Sequence, residues 1–219
     1  MPPDPYAGIR HRMVEEQIRA RGIRNERVLA AMEKVPRHIF VPENLRREAY
    51  EDHPLPIGDG QTISQPYIVA LMTDLLDPHA GDRILEIGAG SGYQAAILAE
   101  LTSGVITIER IPAVAARARR NLSAAGSRPA EVIVGDGTLG YPAKAPYDGI
   151  LITAGTPEVP QPLIDQLADR GRLVAPVGTR GVQELVRIVR EGGRIRREGH
   201  GSVVFVPLIG EHGWRENEG

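Results

Sequence analysis

Two stretches of this chain hold residues whose types and spacing could do chemistry. The first is Arg83-Ile-Leu-Glu-Ile-Gly-Ala-Gly-Ser-Gly-Tyr93, where an apolar run stops at Gly88 and glycines recur at Gly90 and Gly92. A helix-forming run, Gln94 to Leu101, begins at once. Strand, glycine turn and helix make a nucleotide-type site. Glycine lets the backbone take positive φ and approach a ligand closely, and a helix N-terminus presents unpaired N–H groups. The second stretch is Leu55-Pro-Ile-Gly-Asp-Gly-Gln-Thr-Ile-Ser-Gln-Pro66. It reads as a loop, yet it carries uncharged hydrogen-bonding groups at Gln61, Thr62, Ser64 and Gln65 where a mere connector more often carries charge. Neutral donors of this kind can hold an anion without locking it in a salt bridge.

The elements around these stretches set their geometry. Strands are expected at 83–87, 104–109, 131–135, 147–153 and 171–177, with helices at 67–76, 93–101, 112–122 and 162–169 between them. Strands alternating with helices imply parallel βαβ units and a doubly wound α/β sheet. Two β-rich runs, 183–189 and 202–208, follow with no helix between them and a Gly192-Gly193 turn. They predict an antiparallel C-terminal edge. Residues 1–55 read as a helical lead-in: a Pro/Gly-rich start to about residue 9, a helix over 11–21, a second capped by Asn25, and a short extended segment at 37–42. Residues 56–219 read as the core with its β extension, the whole forming one structural domain. Glu109 ends the second core strand, where an acid can accept from ribose hydroxyls. Asp136-Gly137 ends the third on the same edge.

Composition narrows the chemistry. The net charge of −2 and 4% aromatic content argue against a nucleic-acid partner. With no cysteine, thiolate nucleophiles and Cys-based metal sites are excluded. His38, His53 and His79 sit apart beside prolines or turns, so no metal site is expected. No apolar run reaches the ~20 residues of a membrane span, and the N-terminus lacks the blocks of a signal peptide. The reading is a soluble, cytoplasmic chain with no membrane partner, acting as a monomer.

The pattern G-x-G-x-G with Glu86 before it resembles the first motif of S-adenosylmethionine-dependent methyltransferases. A dinucleotide loop of an NAD-dependent oxidoreductase would place glycine where Tyr93 stands. Amino-directed base methyltransferases carry a Pro-Pro box after the fourth strand; here that place reads Thr153-Ala-Gly-Thr-Pro157. A carboxylate acceptor needs no such help, being ionised at neutral pH. The residues alone leave open which carboxylate or small molecule is methylated.

Six segments, in order, narrow this further: Arg37-His-Ile-Phe-Val-Pro42, Leu55 to Tyr67, Leu85 to Gln94, Glu109-Arg-Ile111, Gly135-Asp-Gly137 and Phe205-Val-Pro-Leu208. Together they resemble the protein-L-isoaspartate (D-aspartate) O-methyltransferase family over roughly residues 11–210. The resemblance implies a Rossmann-like fold with S-adenosyl-L-methionine as methyl donor and S-adenosyl-L-homocysteine as product. The implied acceptor is the free α-carboxylate of an isoaspartyl residue in an aged peptide or protein, and the ester formed leads to repair through a succinimide. It implies Ser64 as the active-site residue. For the cofactor it implies Thr62, Ile63, Gly88, Ala89, Gly90, Ser91, Gly92, Glu109, Arg110, Asp136 and Gly137. For the substrate it implies Ile57, Thr62, Ser64, Tyr67, Val206, Pro207 and Leu208. Tyr141 departs from the tryptophan that many members carry there, and Arg180-Gly-Val-Gln183 is a short connection that leaves the groove's shape open.

Overall fold

The computed structural model describes residues 4–216. Its centre is a seven-stranded sheet in the spatial order β5-β4-β3-β6-β7-β8-β9. The strands are β3 (Arg83–Ile87), β4 (Gly104–Glu109), β5 (Glu131–Val134), β6 (Tyr147–Ile152), β7 (Leu167–Gly178), β8 (Gln183–Glu191) and β9 (Arg194–Val203). From β5 to β7 neighbouring strands run parallel, whereas β7–β8 and β8–β9 are antiparallel. The chain leaves β3 toward β4 and β5 on one side, then returns to lay β6 and β7 on the other. Strand order therefore reverses beside β3, which opens a crevice at the carboxyl ends of β3 and β6.

The central strands are apolar on both faces because both are covered. Ile84, Val105 and Leu151 pack with Met72, Leu76 and Leu98. Leu85, Ile87, Ile106, Ile108, Ile150 and Ile152 pack on the opposite face with Leu163 and Leu208. The helices are α1 (Ala7–Arg12), α2 (Glu26–Lys34), α3 (Pro66–Leu76), α4 (Tyr93–Leu101), α5 (Pro112–Ala124) and α6 (Gln161–Asp165). Helix α1 runs on through a π-helical stretch, Met13–Ile18, and a 3₁₀ turn that Gly22 ends at φ 103°. Asn25 caps α2, its side chain accepting from the Arg27 N–H. Met13, Ile18, Leu29, Met32 and Phe40 of the lead-in share one buried cluster with Tyr93, Ile97 and Ala115 of α4 and α5.

Several local expectations change. The helix expected from residue 11 begins at Ala7, so residues 7–9 are not a loose lead; Met1, Pro2 and Pro3 lie outside the described residues. Residues Arg37–Phe40 form a 3₁₀ turn rather than an extended segment. The 55–66 stretch is no plain loop: β1 (Leu55–Gly58) and β2 (Gln61–Ile63) pair as a hairpin, with Asp59 turning at φ 54°. The helix expected over 162–169 stops at Asp165, and β7 starts at Leu167, continuing past Arg170 at φ 62°. The strand expected at 202–208 ends at Val203. The β8–β9 hairpin closes directly at Gly192-Gly193, pairing Glu191 with Arg194. Among the described residues no helix is long and apolar enough to cross a membrane.

Candidate active site

The glycine loop sits in the crevice beside β3, and each glycine there meets a different neighbour. Gly88 has φ 98°, and a Cβ added to it would lie 2.5 Å from the Thr153 Oγ1 at the end of β6. Gly92, at φ 90°, caps α4; its Cβ would meet Ala118 and Leu122 of α5. Gly90 has open space, with only Ile57 Cδ1 at 3.9 Å. The loop is pinned from both sides. The N–H groups of Gly88 and Ala89 donate to the Ile108 carbonyl, and Thr153 Oγ1 donates to the carbonyls of Ile87 and Gly88. Glu109 adds the third anchor. Its Oε2 accepts from the Gly90 N–H and its Oε1 from the Ile111 N–H, each at 3.0 Å.

Tyr93, standing where a dinucleotide loop would have glycine, joins the loop to the lead-in. Its ring meets Phe40 edge-on at 5.5 Å and lies 4.9 Å from the Arg37 guanidinium. Burial pulls the Arg37 guanidinium down to about 10 and raises the Tyr93 phenol above its usual range.

A cleft with an empty volume of about 920 Å³, its open mouth included, runs along this loop. Of the residues singled out in the sequence, Thr62, Ile63, Ser64, Gly88, Ala89, Gly90, Ser91, Glu109, Arg110, Gly137, Val206, Pro207 and Leu208 line it. Ile57, Tyr67, Gly92 and Asp136 do not. Ile57 is buried behind Gly90, and Tyr67 lies under the Arg21 guanidinium, 3.4 Å from its ring centroid. The Asp136 carboxylate faces the C-terminal segment instead. Oδ1 accepts from the N–H and hydroxyl of Thr138, and Oδ2 from the Glu211 N–H. That segment is strapped down by Gly155, whose N–H donates to Val206 and whose carbonyl accepts from Leu208 N–H and Trp214 Nε1. Trp214 thus tethers the C-terminus, bringing residues 206–209 over the cleft.

A second groove, with an empty volume of about 830 Å³, shares Thr62 and Ser64 with the first. Its other walls are Pro54, Gln65, Ile68, Val182 and residues 202–205, none of them charged. Ser64 therefore stands between two cavities, and its hydroxyl makes no hydrogen bond to any described residue. Thr153, Met72, Gln94 and Ile111 also line the cleft without having been singled out. Thr153 had a signal, since it ends a strand at the same sheet edge; Met72 and Gln94 read only as helix residues. Among the described residues no three His, Asp or Glu side chains gather as a metal site would require.

A reversed parallel sheet with a pinned glycine loop and an acid on the next strand end defines a methyltransferase that uses S-adenosylmethionine. The glycine cradle fits such a cofactor, because Gly88 and Gly90 line the cleft without side chains and Gly90 leaves open space beside it. Residues 9–213 match the family model for protein-L-isoaspartate(D-aspartate) O-methyltransferase. A protein-L-isoaspartate O-methyltransferase of Methanoculleus marisnigri is 63% identical over 98% of this chain and 98% of its own. One of Methanoregula boonei is 64% identical over 97% of this chain and 98% of its own. A solved Plasmodium falciparum structure, described as a beta-aspartate methyltransferase in complex with S-adenosyl-L-homocysteine, superposes with a TM-score of 0.79 at 25% identity. It covers 91% of this chain and 98% of that one. The chain belongs to the protein-L-isoaspartate(D-aspartate) O-methyltransferase family.

Proposed function

We propose that this chain transfers a methyl group from S-adenosylmethionine to the free α-carboxylate of isoaspartyl residues in damaged peptides and proteins. The placement of Ser64 carries the residue-level reading: a free hydroxyl at the junction of the cleft along the glycine loop and an uncharged groove. Gly88, Ala89, Gly90, Ser91 and Glu109 would hold the cofactor, with Thr62, Ile63, Arg110 and Gly137 along its length. When bound, the cofactor supplies a sulfonium methyl group that a carboxylate can attack without a general base. The acceptor is already ionised at neutral pH, with a reference pKa near ~4. The work left to the chain is positioning and desolvation.

Ser64 would donate one hydrogen bond to the carboxylate, enough to orient it while leaving its charge free to attack. Neutral groove walls serve the same end, because an arginine or lysine there would pair with the nucleophile and hold it back. Val206, Pro207 and Leu208 border the cleft where an extended peptide would lie. Glu109 already accepts two backbone N–H groups, and a carboxylate has further lone pairs for ribose hydroxyls. Asp136 would act at one remove, by fixing the segment that carries Val206 to Leu208. The methyl ester would then close to a succinimide without further help from the chain.

Two measurements test this reading. With radiolabelled S-adenosylmethionine, an isoaspartyl peptide should be labelled and its normal aspartyl twin should not; equal labelling of both, or of neither, rules the proposal out. Glu109→Ala should raise the dissociation constant for S-adenosylhomocysteine at least about tenfold, since it removes two charge-assisted hydrogen bonds at the loop. An unchanged constant by calorimetry would reject the cofactor role of Glu109.

A further inference from the structure

Asp52 lines neither cavity, yet three groups converge on its carboxylate. Oδ2 accepts from Arg21 Nη1 at 2.7 Å and from Gln65 Nε2 at 2.6 Å. Oδ1 accepts from the Tyr67 N–H at 3.2 Å. Arg21 closes the arrangement by laying its guanidinium over the Tyr67 ring. Tyr67 is in the first turn of α3, whose N–H groups have no partner within the helix. The residue before the helix, Gln65, offers no side-chain cap. Asp52 therefore caps α3 from outside the helix, and an anion at that end is favoured by the helix dipole.

What this node holds is the segment carrying Ser64. On one side of Ser64, Ile63 is paired with Leu55 in the β1–β2 hairpin. On the other, Gln65 and Tyr67 are both tied to Asp52. Ser64 makes no side-chain hydrogen bond of its own among the described residues, so its backbone sets where its Cβ stands and χ1 is left to turn the hydroxyl toward an acceptor. As a plain surface ion pair, the half-exposed Arg21–Asp52 contact would contribute little. Its geometry is more particular than that, because two of the three groups on the carboxylate belong to residues within three positions of Ser64.

We propose that Asp52 is a positioning residue for Ser64, holding the β2–α3 junction so that the serine hydroxyl meets the acceptor carboxylate. This rests on the reading of Ser64 given above. The test is a double-substitution cycle with Asp52→Ala, Ser64→Ala and the combined variant, assayed on an isoaspartyl peptide. Asp52→Ala alone should lower kcat/KM on the order of tenfold to a hundredfold, the scale of a displaced catalytic group. The dissociation constant for S-adenosylhomocysteine should stay within about twofold, which also shows that the variant is folded. The combined variant should be no slower than Ser64→Ala, because residues acting as one unit are not additive. Should Asp52→Ala fail to fold, Asp52→Asn enters the same cycle; it keeps an acceptor for the Tyr67 N–H and loses the charge. Losses that multiply in the combined variant, or a loss of cofactor binding that matches the loss of turnover, would overturn the positioning role. A wild-type chain that leaves isoaspartyl peptide unmethylated would sink the proposed function instead, and the two failures are distinct.

Discussion

Gly88→Ala is expected to abolish measurable S-adenosylhomocysteine binding and to lower the melting temperature by roughly 4–10 °C. Two costs combine. Gly88 sits at φ 98°, a conformation that costs an L-residue about 1–2 kcal/mol. Its new Cβ would also fall 2.5 Å from Thr153 Oγ1, inside any real contact distance. Thr153 cannot simply turn away, because that hydroxyl donates to the carbonyls of Ile87 and Gly88 and so ties the loop to β6. Moving it frees the same carbonyls that set the loop's shape. Gly90→Ala is the matched control. Gly90, at φ 52°, carries the same backbone cost but has no neighbour nearer than 3.9 Å, so that variant should lose clearly less melting temperature than Gly88→Ala. Differential scanning fluorimetry and calorimetry with S-adenosylhomocysteine separate the two. Equal effects at both positions would mean that Thr153 does not constrain the loop.

The contrast between those two glycines also marks how far the sequence could be read. Three glycines at alternate positions after an apolar run announce a tight turn before a helix. The division of labour among them depends on Thr153 and on Ala118 and Leu122, residues that no local spacing connects to the loop. The same holds elsewhere. The parallel core was legible because strands buried on both faces are mostly apolar, and 83–87, 104–109 and 147–152 are mostly apolar with β-branched residues. The β1–β2 hairpin was not, since Pro56, Gly58 and Gly60 mimic a loop while a two-residue turn at Asp59 and Gly60 pairs the flanks. Strand β9 begins at Arg194, earlier than the apolar run at 202–208, because its first half is rich in arginine rather than apolar residues. Arg194, Arg196 and Arg197 are exposed residues of an edge strand, where such charge blunts pairing with other chains.

Among the site residues, Gly88 to Ser91 of the glycine loop and Thr62 to Ser64 fall on one cleft, each being a short contiguous run, whereas Gly92, Ile57 and Tyr67 beside them do not. Asp136 shows the limit of that reasoning. Its place at the end of β5 suggests a ligand contact, but its carboxylate is taken up by Thr138 and Glu211. Only the return of the C-terminus across the sheet edge makes this visible. Asp52 is a similar case. It lies upstream of the hairpin with no motif around it that chemistry requires, and its meaning comes from Arg21, Gln65 and Tyr67 meeting in space.

Glu86→Gln is expected to remove a loss of stability that the wild type shows as pH rises from about 5 to about 8. Glu86 is fully buried in the middle of β3, and neither carboxyl oxygen has a hydrogen-bond partner. Beside it in the register stand Thr107 on β4, whose hydroxyl is also unpartnered, and Leu151 on β6. Burial pushes the carboxyl up to about 8, and the charge of Glu109 acts in the same direction. The folded chain thus keeps the proton that the unfolded chain releases near pH ~4.5. The acid's folded pKa is raised, so this stability is complete below the unfolded value and is lost as pH climbs toward the folded one. The slope is about 1.4 kcal/mol per pH unit, on the order of 3 kcal/mol lost by pH 7. Glutamine cannot ionise, so the difference in unfolding free energy between the two proteins should change with that slope across the window and level off beyond it. Urea unfolding at several pH values measures it directly. A difference independent of pH would mean that Glu86 is already ionised in the folded protein. The site's electrostatics follow from the same proton. With Glu86 neutral beneath the loop, no second charge competes with the Glu109 carboxylate, which faces the Gly90 N–H and the cleft. Two ionised carboxylates on adjacent strands would repel one another and weaken the anchor that holds the loop in shape.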